Sequence, residues 1–573
     1  MGVTSLSRRY VHDDHIKVLH RLYQRLKIVR VFFFFFFLLI VVRLIDIMGL
    51  SPQVDQFLKI AESVTASMKR KDIVDRNGIL LATNLTTASL YAQPFQIKNP
   101  EEVGRKILEI LPQLSREEVM AKLASDKKFV WIARNLSPQD QSKIYRLGVP
   151  GLNFHREEKR VYPHGALLAH VLGFTDVDNH GIGGIEHQFN QFLTHSSSGS
   201  LMLSIDLRIQ HILYDEIKKS IDHFKAQGGA GLVLNVKTGE VLGMVSFPDF
   251  DPNLPKEAKQ ESFFNKNTLG VYEMGSAFKL FTVAMALEHG TATLASQYDA
   301  TVPLRVSRFQ IKDFKPQNRK LSVSEIIQHS SNIGSSKMAL EVGVERQRAF
   351  FEKLGFLQAC SLEIPEVGKP MIPQQWRDIN LMTISYGYGL SISPLQLASG
   401  LGSMVNGGIV INPTLLKRNN DSNLTSQRII SETTSHDIRK LMRLVVTEGT
   451  GRKANVPGFF VGGKTSTAEV LLAGGKGYNH SENLSSFLCV FPMNDPQYMV
   501  MVMIDRPIAT TETFGYSTGG WTSAPTAGNV AKRMGTLLGL PLVNENDPKL
   551  QEDFRIPGKI YEAKNQIHRR AKG

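Results

Sequence analysis

The chain has 573 residues, with 67 Lys and Arg against 53 Asp and Glu for a formal excess of +14, and 42% of its residues are apolar. This is too long for one ordinary domain and too apolar for a disordered chain, so about three folded units are expected. Two cysteines, Cys360 and Cys489, exclude a disulfide scaffold and a Cys-rich zinc site, and the 46 Gly and 25 Pro follow no three-residue period, which excludes collagen.

The basic excess begins at the N-terminus. Residues 1–30 carry Arg8, Arg9, Lys17, Arg21, Arg25, Lys27 and Arg30 against Asp13 and Asp14. The run from Val31 to Val42 that follows has no polar side chain and contains six consecutive Phe. From Ile28 to Met48 a helix would measure roughly 30 Å, the thickness of a bilayer's hydrocarbon core. Arg30 and Arg43 lie near its ends, where long cationic side chains can reach the headgroups. No small-residue cleavage site follows, and six Phe in a row would crowd a soluble core helix, so the segment reads as an uncleaved anchor in the cytoplasmic membrane. Basic residues before it predict a cytoplasmic N-terminus and a catalytic part on the outer, periplasmic side. Nucleic acid is then not an expected partner.

Between residues 51 and 225 short strands and helices alternate without a chemical signature. Ile73-Val74 runs into Asp75-Arg76-Asn77-Gly78, a strand entering a tight turn, and Arg160–Gly165 and Gly181–Glu186 are further turn segments with a structural reading. Leu207 to Phe224 is amphipathic, with Asp206 as its N-cap. Ala230–Val236 and Val241–Phe247 form a hairpin around Lys237-Thr238-Gly239-Glu240, and Ser485–Phe491 and Tyr498–Ile504 form two more strands near the other end. Helical stretches lie between, at Ala277–His289, Val323–His329 and Arg346–Leu354. Strands at both ends with helices between predict an α+β domain whose antiparallel sheet joins the two ends of the segment. Residues after about 546 read as a solvated basic tail.

Ser276-Ala277-Phe278-Lys279 opens one of these helices. Positions i and i+3 share a helix face, so the hydroxyl and the amine can meet as nucleophile and proton acceptor. The tetrad is weak evidence alone: Ser125-Asp126-Lys127-Lys128 has the same form in a charged surface segment. Two further groups follow in order, Ser330-Ser331-Asn332 and Lys464-Thr465-Ser466-Thr467, the latter after Gly462-Gly463. Singly, these read as a helix cap, a turn and a solvated Lys. Together, S-x-x-K, S-x-N and a near match to K-[ST]-G are the motifs of penicillin-recognising serine acyltransferases. His164, His170, His187 and His329 show no metal-ligand spacing, no metal or other cofactor is expected, and Cys489 in an apolar strand reads as a buried free thiol.

The chain thus resembles the class B penicillin-binding proteins, and within them the division-specific peptidoglycan D,D-transpeptidases of the FtsI type. The likeness runs from the basic N-terminus and anchor through Asp75–Gly78, Arg160–Gly165, Gly181–Glu186 and the three motifs to Tyr386–Leu397. It implies a cytoplasmic tail (1–27), an anchor (28–48), an elongated periplasmic pedestal of the dimerisation type (51–225), a transpeptidase domain with a helix-flanked antiparallel sheet (226–545) and a C-terminal tail (546–573). It implies a serine-type D-Ala-D-Ala transpeptidase that cross-links stem peptides during septal wall synthesis. Ser276 is then the nucleophile and Lys279 its proton acceptor. Ser330 and Asn332 relay protons and hold substrate, Lys464 and Thr465 bind the terminal carboxylate, and the backbone N–H groups of Ser276 and Thr467 form the oxyanion hole. The implied partners are stem peptides as donor and acceptor, β-lactams as inhibitors, the membrane, an FtsW-type glycan polymerase and other divisome proteins. A D,D-carboxypeptidase or β-lactam hydrolase on the same scaffold and a non-catalytic divisome scaffold remain alternatives. Two departures stand out. Met274 replaces a common Pro, and Ser466 replaces the usual Gly, which is expected to place a side chain in the substrate's path.

Overall fold

The computed structural model describes residues 6–45, 70–195, 199–306, 309–419, 427–471 and 477–557. It divides into two compact units, Met1–Lys69 and Arg70–Gly573. Among the described residues of the first, one helix, α1 (Leu6–Ile45), includes the apolar stretch Tyr23–Ile45, long enough to cross a membrane. Each of Phe32 to Phe37 is more than half exposed, so no protein core covers the run and a lipid environment fits it. The stretch begins five residues before the expected span at 28–48; residues 46–48 lie outside the described residues.

The second unit opens with a mixed sheet of β1 (Ile73–Val74), β2 (Leu80–Ala92), β3 (Val130–Leu136), β4 (Leu152–Val161) and β5 (Leu201–Met202). The long β2 is its spine, antiparallel to β1, β3 and β4, while β1 runs parallel to β5. Helices α2 (Pro100–Ile110), α3 (Arg116–Leu123) and α4 (Pro138–Tyr145) start at Asn99, Ser115 and Ser137, whose side chains accept a backbone N–H three residues on. Their apolar faces, through Ile107, Val119 and Ile144, pack on Leu90 and Ile132.

The turn segments noted in the sequence are joined by one buried carboxylate. Glu186 accepts from Arg70 Nε at 2.7 Å and from Arg160 Nε at 2.6 Å, and all three side chains are almost wholly buried. Removing Glu186 would leave two buried guanidinium groups without their carboxylate, which gives these segments a structural role. Asp75 accepts the N–H groups of Asn77 and Ile79 within its turn and that of Leu207 beyond it, and Gly78 takes the positive φ of +85° that the Asn-Gly pair predicts.

Leu207 follows Asp206 into α5 (Leu207–Phe224), with the Asp206 side chain accepting from Arg208 N as its cap. The expected border near 225 puts this helix with the pedestal. Its buried face, Ile209, Leu213 and Ile217, instead packs with Val233 and Val245 of the second sheet. That sheet comprises β6 (Gly228–Asn235), β7 (Val241–Phe247), β8 (Gly462–Leu471), β9 (Tyr478–Phe491) and β10 (Tyr498–Asp505) in the order β8-β9-β10-β6-β7, with every neighbour antiparallel. The two ends of the domain meet at β10 and β6, as the strand pattern predicts. Alternate residues enter different cores: Phe487, Cys489 and Phe491 face α5 and α10 (Ser523–Leu537), while Leu488 and Val490 face a larger core that includes α6 (Phe278–Glu288) and α9 (Glu432–Thr447). Two covered faces explain why these strands read as continuous apolar runs. Cys489 is a free thiol in the core, and Cys360 is free and half-buried.

The solvated tail expected after 546 begins later. Pro548–Asp553 forms helix α11, the Phe554 ring packs edge-on against Phe460 with centroids 4.8 Å apart, and Ile556 is 2% exposed. Three apolar residues among many polar ones, Leu550, Phe554 and Ile556, are enough to dock this segment. Residues 558–573 lie outside the described residues.

Candidate active site

Three elements converge at the β8 edge of the sheet. Ser276 lies in the single 3-10 turn Gly275–Ala277 that leads into α6, and Lys279 lies one turn on, 1% exposed. Ser330 ends α7 (Val323–His329) in the left-handed conformation at φ +60°, Ser331 caps α8 (Asn332–Val342), and Asn332 is its first residue. Lys464, Thr465 and Thr467 lie on β8. The turn and the strand touch because residue 275 is glycine: a Cβ there would stand 2.8 Å from Ser466 Oγ and 2.9 Å from Thr467 O, at a φ of +50°.

The fold brings the S-x-x-K, S-x-N and Lys464 side chains together around one amine. Lys279 Nζ is 2.7 Å from Ser276 Oγ, 2.7 Å from Asn332 Oδ1, 3.1 Å from Ser330 Oγ and 3.0 Å from Ser330 O. Lys464 Nζ is 3.3 Å from Ser330 Oγ, so this hydroxyl bridges the two lysines, and it donates to Thr465 O at 2.8 Å. No carboxylate of the described residues pairs with Lys464. Both amines are buried. Burial first, and then the positive charge of Lys464, hold the Lys279 amine well below its ordinary value. Burial alone pushes Lys464 down to about 7. The two buried amines repel each other when both are charged, and for Lys279 this adds to the effect of burial. An amine biased toward its neutral form against the Ser276 hydroxyl suits a nucleophile that must be deprotonated.

Thr465 and Thr467 are placed less directly. The Thr465 hydroxyl is 2.6 Å from that of Thr450, and Thr467 Oγ1 accepts from Gly519 N at 3.1 Å. Ser466 differs from expectation. Its side chain is 2% exposed and its hydroxyl donates to Met274 O, so it turns inward onto the Gly275–Ala277 turn. The reason is the two-residue period of a strand, which sends residue 466 to the face opposite its neighbours. The second tetrad, Ser125–Lys128, is a surface segment outside the site.

Sequence reasoning missed Asp313 and Thr450. Asp313 is buried, its Oδ2 accepts from Ser331 Oγ at 2.7 Å, and its Oδ1 accepts from the N–H groups of Asn332 and Ile333 at 2.6 and 3.0 Å. Both reach the site from loops at no fixed distance from a motif, so no spacing in the sequence marks them.

Residues 229–532 match the penicillin binding protein transpeptidase domain and residues 65–203 the penicillin-binding protein dimerisation domain. The chain is 37% identical over 495 residues to the probable peptidoglycan D,D-transpeptidase FtsI of Caulobacter vibrioides, a match that covers 84% of each chain. Among solved structures it is similar to the apo TP domain of Burkholderia pseudomallei penicillin-binding protein 3, at 33% identity and a TM-score of 0.54 over 60% of this chain and 98% of that one. It also shares the fold of penicillin binding protein 3 from Mycobacterium tuberculosis, complexed with aztreonam, at 22% identity and a TM-score of 0.66 over 83% and 97% of the two chains. Two matched domains in this order, the three motifs gathered on one amine and that identity over most of the chain lead to one assignment: the chain belongs to the class B penicillin-binding proteins of the FtsI type.

Proposed function

We propose that the protein is a peptidoglycan D,D-transpeptidase of cell division in which Ser276 forms an acyl-enzyme. The observation that carries this is the Lys279 amine, 2.7 Å from Ser276 Oγ and held away from protonation by burial and by Lys464. Ser276 Oγ attacks the carbonyl carbon of the penultimate D-Ala as its proton passes to Lys279 Nζ. The peptide C–N bond breaks, the terminal D-Ala leaves with that proton on its amine, and an ester to Ser276 remains. An amine from a second stem peptide then attacks the ester, gives up a proton and restores the Ser276 hydroxyl. Ser330, whose hydroxyl lies between the two lysines, relays protons, and Asn332 orients Lys279 and the substrate amide. Lys464 in its charged form and Thr465 receive the substrate carboxylate, and the backbone N–H groups of Ser276 and Thr467 serve the oxyanion. β-Lactams, which offer a strained amide and a carboxylate, acylate the same Ser276.

The apolar helix fits a single-pass membrane protein. The basic residues before it support a cytoplasmic N-terminus and a periplasmic catalytic domain. Residues 51–225 are read as the pedestal and 226–545 as the transpeptidase domain, with α5 packed on the latter's sheet. An FtsW-type glycan polymerase and other divisome proteins are the proposed partners of anchor and pedestal, on family resemblance alone.

The test offers the purified full-length protein a D-Ala-D-Ala stem peptide together with a D-amino acid acceptor. The expected product carries the acceptor in place of the last D-Ala, and Ser276→Ala forms none. Release of only the hydrolysed stem would assign a carboxypeptidase instead.

A further inference from the structure

The S-x-N motif is held from behind by a segment that no motif includes. Lys312 and Asp313 follow the short strand Phe309–Ile311 and pass the head of α8. Lys312 O accepts from Asn332 Nδ2 at 2.9 Å, which fixes the orientation of the carboxamide and presents its oxygen to Lys279. Asp313 uses both oxygens: Oδ1 takes the first two N–H groups of α8, and Oδ2 takes the Ser331 hydroxyl, which itself accepts from Gly334 N at 3.0 Å. A buried carboxylate that accepts three donors at a helix N-terminus ties that end of the helix to the 312–313 segment. Its negative charge also bears on Lys279.

We propose that Asp313 is a positioning residue of the acylation step, which sets Asn332 against the Lys279 amine through the head of α8 and places a negative charge behind the Asn332 that contacts Lys279. This rests on the reading of Ser276 and Lys279 given above. The groups whose charge bears on Lys279 are Lys464 from β8 and Asp313 from the 312–313 segment. Lys312 and Lys315 on the same segment are exposed to solvent, and His329 at the end of α7 is half-buried. At the far end of α6, Glu288, Arg346 and Lys353 bear on His289.

The sign follows from the charge. Asp313 favours the ammonium form of Lys279, whereas acylation needs the neutral amine. Without the carboxylate the neutral form persists to lower pH, and the acid limb of the rate profile moves down.

The experiment measures the second-order rate of penicillin acylation of the full-length protein across the acid and neutral range. Asp313→Asn keeps an acceptor oxygen for the α8 N–H groups and removes the charge. Its acid limb is expected at lower pH than the wild type's, with a plateau within about tenfold of it. Asp313→Glu keeps the charge and displaces it, so its limb is expected unmoved and its plateau lower by about 10- to 100-fold. A wild-type limb in Asp313→Asn, or a wild-type plateau in Asp313→Glu, overturns the proposal. Should Asp313→Asn fail to fold, the plateau of Asp313→Glu decides alone. Ser276→Ala run beside them separates the two readings: its acylation would remove the acyl-enzyme assignment itself, whereas an inert Ser276→Ala with a wild-type profile in Asp313→Asn removes only the role of Asp313.

Discussion

The hydroxyl of Ser466 donates to Met274 O, one residue before the Gly275–Ala277 turn. The departure from K-[ST]-G therefore adds a tie between the strand and that turn. Ser466→Gly removes that bond and leaves Met274 O without it. An acylation rate several-fold lower is expected, matching the ~0.5–1.5 kcal/mol of one hydrogen bond. Stopped-flow acylation by a chromogenic β-lactam reads this out, and rates equal to the wild type's would show that the tie does not reach the transition state. At this scale Ser276, Lys279, Ser330, Asn332 and Lys464 were legible because a helix and a strand impose fixed spacings within each motif. Asp313 was not, because a carboxylate arriving from a loop obeys no period. The direction of Ser466 was recoverable from strand alternation, had Lys464, two residues back on the same face, been placed first.

Elements were legible where their apolar pattern was continuous. The α5 boundaries at 207 and 224, its Asp206 cap and the β6–β7 hairpin follow the sequence reading closely. Which body an amphipathic helix covers is a tertiary matter, and α5 goes to the sheet it precedes because Ile209, Leu213 and Ile217 meet Val233 and Val245 there. The segment around α11 was misread for the opposite reason: its composition is polar, and only Leu550, Phe554 and Ile556 hold it. Ile556 is almost fully buried, so Ile556→Ala is expected to destabilise the protein by about 2–4 kcal/mol. Denaturant unfolding of the catalytic domain checks this; an unchanged midpoint would mean that the segment is not docked in solution.

Across the whole molecule, the chain separates two tasks. An all-round apolar helix follows a basic stretch, while the unit Arg70–Gly573 carries a buried Arg70–Glu186–Arg160 knot in its N-terminal part and two lysines at the edge of its second sheet. The densest part of the +14 excess precedes the span, and Lys279 and Lys464 are buried. Anchor, domain order and reaction class were all legible in the sequence, since each rests on a local run or an ordered motif set. The burial of Lys279 beside Lys464 was not, because it requires segments distant in the chain to meet. The central claim is that Ser276 is the acylated nucleophile. Peptide mapping by mass spectrometry after reaction with penicillin tests it most directly. The predicted result is a single penicilloyl adduct on Ser276, absent from Ser276→Ala; an adduct on any other residue, or one that survives in Ser276→Ala, would contradict it.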